Sequence, residues 1–323
     1  VNRSPSWHQR QRTIFLVASG VSTAGSFAGL TAKGWILMSG TDNAMLLALH
    51  FAALSLPTLV VSGPAGVRTD RIGCEQVLIQ AQWALLGAGL LAALSIPLLD
   101  GTAQVAVLLA STLLMGIAGA NELTARNKYC ALLVDDPRTL APYLASFSVV
   151  FNVGKLVGPP LGGWLVALTG PATALSLDAL TYLLPIASVI WLLKPNRSIE
   201  QLSSTRDSAT LNSAWKECGP VLRHVLKFTA LICMVGFFHP GLAPLIAADT
   251  LGPSPQDLGL FTSVLAAGSI TGGIILQRNS HKFSSRPGLT LGCFGLITAV
   301  AQLGMASSQW IPIVLLMVWL IGA

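Results

Sequence analysis

Apolar runs of about 20 residues, separated by short polar segments, recur along almost the whole 323-residue chain. A helix needs about 20 such residues to cross the hydrocarbon core of a bilayer, so the pattern specifies transmembrane helices. Hydropathy predicts them at 13–37, 44–62, 76–98, 103–123, 142–168, 172–193, 226–247, 258–276 and 288–306, with a last one beginning at Ile311. Only 10% of residues are charged and the mean hydropathy is +0.68, whereas about a quarter of a soluble domain is charged. The fold class is all-α, a polytopic membrane protein. The first apolar run, Thr13 to Leu37, is longer than the ~7–15 residues of a secretory signal and contains Lys33, so it reads as a span.

The scarce charges are sorted by side. With a cytoplasmic N-terminus, 17 of the 19 Lys and Arg fall on the cytoplasmic side, and only Lys33 and Lys155 lie inside predicted helices. The opposite loops carry acids instead, among them Asp42, Asp100, Asp249 and Asp257. This asymmetry sets orientation in a plasma (inner) membrane and removes the reason to read the net charge of +6 as nucleic-acid binding. The five cysteines form no CxxC pair and imply neither disulfides nor a metal.

The polar segment 194–225 divides the chain into a six-helix bundle (1–193), a cytoplasmic central loop (194–225) and a second bundle (226–323). A shift of 207 residues lays Gly66-x-x-x-Asp70-Arg71 on Gly273-x-x-x-Gln277-Arg278, and Asp42 on Asp249. Two parallel repeats follow from that register. The last run, WIPIVLLMVWLIGA, is shorter than a span, so the expectation is a truncated second bundle lacking about two and a half helices.

Two glycine-rich motifs carry a family resemblance. SGPAGVRTDRIG (62–73) is expected to form the cytoplasmic turn between the second and third helices. Its Gly66, Arg68, Asp70, Arg71 and Gly73 resemble the gating loop of the major facilitator superfamily, although Cys74 and Glu75 stand where that family has basic residues. The resemblance implies that Asp70 helps to latch the two halves near the family's eleventh helix, with Arg68 or Arg71 as its companion in this chain. NVGKLVGPPLGG (152–163) resembles the motif of proton-coupled exporters in that superfamily through Gly154, Gly158, Pro159, Gly162 and Gly163. Glycines four residues apart make a smooth stripe for close helix packing. Pro159 and Pro160 leave the carbonyls of Lys155 and Leu156 without their helical donors. Flanking stretches are most similar to the siderophore-exporter branch.

Intramembrane charges are functional hypotheses by default. Lys33, His50 and Asp178 share a layer about 12–14 Å below the outer helix ends, at 1.5 Å per residue. The favoured reading is a structural Lys33–Asp178 pair with His50 incidental, and the alternative is a proton or substrate relay. Lys155 lies about 22 Å below the outer turn at Gly170, too deep to pair easily with Asp178. Its partner is a freed carbonyl, a further helix or an anionic substrate.

The resemblance implies a two-bundle secondary active transporter, a monomer that exports a small molecule by proton-coupled alternating access and needs no cofactor. An importer or uniporter of the same fold, or a truncated non-transporting membrane protein, is the alternative. An enzyme is disfavoured: the five histidines lie in separate segments, and neither HExxH nor a phosphate-binding loop occurs.

Overall fold

The structure is a computed structural model that describes residues 5–41, 44–134, 139–192, 219–224, 226–227, 230, 239–278, 287–307 and 310–323. No strand occurs among them. Four long helices come first: α1 (Pro5–Thr41), α2 (Ala44–Ile72), α3 (Cys74–Leu98) and α4 (Gly101–Leu132). Next come α5 (Leu140–Thr169), α6 (Pro171–Thr181), α7 (Leu183–Ala187) and a π-turn (Ser188–Leu192). The second half supplies α8 (His239–Thr250), α9 (Pro255–Arg278), α10 (Pro287–Ser307) and α11 (Ile311–Gly322). Six helical segments of the first half are long and apolar enough to cross a membrane, with α6, α7 and the π-turn forming one of them. Within predicted helix 226–247, residues 231–238 lie outside the described residues, as does most of the central loop.

The largest departure from expectation is at 62–73. This stretch is not a turn but the last turns of α2, which runs on to Ile72. Each interior glycine costs a helix about 1 kcal/mol, so packing has to hold it there. Ala65 and Thr69, one turn apart, are both buried, and Thr69 Oγ1 donates to Ala65 O at 2.7 Å. The turn itself shrinks to Gly73, whose φ of 92° favours a residue without Cβ. Gly170, at φ 87°, does the same between α5 and α6.

Buried side chains form separate clusters at the two ends of the first bundle. At the end nearer the N-terminus of α1 Phe15 meets Tyr129 edge-on at 5.1 Å, and Phe147 at 5.7 Å, over Val77 and Leu78. At the opposite end Leu37, Leu47, Leu108 and Leu175 pack around Ala32 and Ala92. A third cluster, with Phe261, Met305 and Val318, holds α8 to α11 together. Large side chains such as Leu59, Val60, Trp164 and Trp191 project outward. That distribution suits lipid, because in water so much exposed apolar surface would drive association.

Candidate functional site

The core of the site is helix α5, held between the two halves. Its glycine stripe meets α1 backbone to backbone. A Cβ at Gly154 would lie 2.8 Å from Thr23 Cγ2, one at Gly158 would lie 2.5 Å from Ala24 O, and one at Gly162 would strike Ala28 O. The other side of α5 meets α9. Gly163 abuts the Pro255 carbonyl, and a Cβ at Gly259 would lie 2.9 Å from Pro159 O. Here the proline pair has a structural consequence. Pro160 has no N–H to give Leu156 O, and Ser263 Oγ of α9 reaches that carbonyl instead, at 2.9 Å, sharing its one proton between it and its own helix. The same hydroxyl also lies 2.7 Å from Gly259 O in its own helix. One hydrogen bond of α5 is thus borrowed from the opposite half.

On the far side of α1, small residues admit α6. Cβ atoms at Gly25 and Gly29 would collide with Thr181 and with the Asp178 carboxylate, respectively. Their Gly-x-x-x-Gly spacing was readable in the sequence but was not singled out there.

The charged layer assembles, though not as expected. Lys33 is fully buried, yet its Nζ donates to Ser111 Oγ and Met115 Sδ on α4, both at 3.0 Å. It forms no ion pair with Asp178, so the favoured direct pair is corrected. The reason is reach: a flexible lysine one turn beyond Gly29 turns to polar groups on α4. His50 Nδ1 lies 3.1 Å from Thr112 Oγ1, the residue next to Ser111. Thr112 gives its one proton to Leu108 O at 2.9 Å, so the imidazole N–H donates to the threonine. Asp178 is 2% exposed, and neither carboxylate oxygen has a hydrogen-bond partner among the described residues. One turn later Tyr182 OH is 2.8 Å from Ser26 Oγ. Ser111, Thr112 and Met115 had no sequence signal, because ordinary small and apolar residues in a span look like packing.

At the C-terminal end of α2 Asp70 pairs neither with Arg68 nor with Arg71. Lys128 of α4 reaches its Oδ1 at 2.7 Å. Arg68 instead donates to Gln80 Oε1 of α3 at 2.6 Å, while Arg71 is exposed. No described atom comes within 4 Å of where a Gly66 Cβ would sit, so that face of α2 is open. Lys128 was grouped in the sequence with the orientation-setting charges; its separation of 58 residues from Asp70 hid the pairing. Lys155 lies half-buried beside the Phe151 ring, with Nζ 5.6 Å from the centroid.

The profile of the transmembrane secretion effector family matches residues 3–323. The multidrug efflux pump Tap of Mycobacterium tuberculosis and of Mycobacterium bovis is 24% identical over 198 residues, 58% of this chain and 44% of the pump. The aligned part therefore spans less than half the length of these curated relatives. Among solved structures, a D-xylose–proton symporter superposes with a TM-score of 0.67 at 14% identity, over 96% of this chain and 79% of the symporter. A bacterial homologue of the iron transporter ferroportin, inward-facing, gives 0.66 at 18% identity, over 99% and 82%. At such identities the likeness establishes the fold alone. The chain belongs to the transmembrane secretion effector family of the major facilitator superfamily.

Proposed function

We propose that this chain is part or all of a secondary active exporter that moves a small molecule out of the cell by proton-coupled alternating access. It sits in the plasma membrane as a monomer with its N-terminus in the cytoplasm. The observation that carries the reading is the joint between the halves. At Gly163 and Gly259 the backbones of α5 and α9 touch, with one borrowed bond from Ser263 to Leu156 O. Such a surface lets two bundles rock on each other, because small residues and backbone meet at these positions. Pro159 and Gly163 lie at this joint, while Gly154, Gly158 and Gly162 seat α5 on α1 within the first half. Gly66, Arg68, Asp70, Arg71 and Gly73 form the cytoplasmic gate, which in this conformation is tied to α4 through Lys128. Lys33, His50 and Asp178 are the coupling groups, buried ionisable residues of which the first two reach α4 and the third lies against Gly29 of α1.

The efflux-pump relatives support the export direction and suggest drug-like organic substrates. The test is accumulation of a panel of fluorescent drugs in a host stripped of its own pumps, with and without a protonophore. Export predicts lower accumulation than in empty-vector cells, restored by the protonophore. Equal accumulation overturns the proposal. Raised accumulation favours the importer reading, and protonophore-insensitive efflux removes proton coupling alone.

A further inference from the structure

Lys155 is the sixteenth of the thirty residues of α5, at the middle of the span. Its Nζ makes no hydrogen bond or ion pair with any described residue, and its one close partner is the Phe151 ring. An ammonium carries three donors, and a ring face offsets only about 0.5–2 kcal/mol of what those donors lose on leaving water. The freed carbonyl of Leu156 is no partner either: the side chain that reaches it is Ser263, not Lys155. The bilayer midplane is about 15 Å from either headgroup layer, farther than a lysine side chain extends. Phospholipid phosphate is therefore out of reach.

At 100° per residue, Phe151 and Lys155 stack one turn apart on α5. They lie between the Gly154–Gly158 stripe that meets α1 and the Leu156–Pro159–Gly163 line that meets α9. This puts the cation in the cleft between α1 and α9. Across the cleft edge Phe27 of α1 packs edge-on against Phe151, with centroids 5.3 Å apart. Phe151 remains 45% exposed. A cation without counter-charge thus stands beside an open aromatic surface at mid-membrane depth.

We propose that Lys155, Phe151 and Phe27 form a recognition site for organic anions that carry an acidic group beside a flat apolar body. The acidic group completes the charge of Lys155, and the body stacks on the phenylalanine pair. This assignment of substrate class rests on the transporter reading of the cleft. It differs from the coupling layer, because Lys33 donates to Ser111 and Met115 and lies fully buried.

The test uses the full 323-residue chain in discs of zwitterionic lipid, with two fluorescent probes that share one ring system. One is 8-anilinonaphthalene-1-sulfonate, and the other is the uncharged N-phenyl-1-naphthylamine; signal from empty discs is subtracted. Loss of a charged hydrogen bond should weaken sulfonate binding in Lys155→Met by about tenfold or more. The neutral probe should stay within about twofold, since only the charge is removed. Lys155→Arg should restore sulfonate affinity, and Phe151→Leu should weaken both probes. Lys155→Gln replaces the methionine variant if the latter fails gel filtration. Unchanged sulfonate affinity in the lysine variants, equal weakening of both probes, or no saturable sulfonate binding by the unmodified chain overturns the assignment. Cellular efflux of the neutral probe without sulfonate discrimination overturns only this inference. Sulfonate discrimination by a chain that moves neither probe keeps the site and overturns export.

Discussion

Replacing Gly158 by alanine adds one methyl group at the backbone contact between α5 and α1. The new Cβ would lie 2.5 Å from Ala24 O, 2.7 Å from Phe27 Cβ and 3.2 Å from Ala28 N. A carbon–oxygen contact relaxes at about 3.3 Å, so α1 and α5 have to part by roughly 0.8 Å at this level. Two of the obstructing atoms belong to backbone, and no rotamer change relieves them. Overpacking of this kind costs about 1–3 kcal/mol. Against it stands the gain of about 1 kcal/mol from replacing glycine by alanine inside a helix. Gly119 of α4 separates the two effects, because a Cβ there meets nothing within 4 Å. Gly119→Ala should therefore be neutral or stabilising, and Gly158→Ala should be less stable than it by about 1–3 kcal/mol. Reversible unfolding of the purified chain in bicelles, followed by steric trapping, measures both. Gly158→Leu, far larger, should insert but fail to transport. If Gly158→Ala proves as stable as Gly119→Ala, the backbone contact between α1 and α5 does not exist as described.

Ser263→Ala removes the only described donor to Leu156 O and should cost about 0.6 kcal/mol, at most about 1.7, in the same unfolding titration; Ser263→Thr should lose less. Cys218 lies outside the described residues, and the charge asymmetry puts it in the cytoplasm. With the other cysteines replaced, an impermeant thiol reagent added to intact cells should leave it unlabelled, and labelling would reverse the orientation.

Hydropathy located the spans well because a bilayer imposes a minimum apolar length whatever the partners. It misjudged ends, as at α2, where glycine, proline and charge imitate a loop while Ala65 and Thr69 pack the helix onward to Ile72. Burial was legible too: Lys33, His50 and Asp178, all inside predicted spans, are buried. Partner choice was not. It depends on how each helix is rotated and how far a side chain swings, and so Lys33 went to α4 while Asp178 settled against Gly29. Glycine spacing predicted a close-packing face on α5 and left open that two helices, α1 and α9, would use its opposite sides. The loss of two amide donors at Pro159 and Pro160 was visible in the sequence. That a serine 107 residues away would answer one of them was not.

Helix α1 has no spare side among its small residues. Ala24 and Ala28 offer their backbone to α5, while Gly25 and Gly29, next to them in sequence, admit Thr181 and Asp178 of α6. Two neighbours thus press on adjacent positions, and a substitution that eases one contact cannot be absorbed by rotating the helix, since rotation drives the other contact together. Across a set of related chains, divergence in this segment should be confined to its outward positions, such as Val17 and Val21, and to the cleft-facing Phe27. A change of cargo would then enter through single side chains at the cleft, leaving the helix that carries them fixed in place.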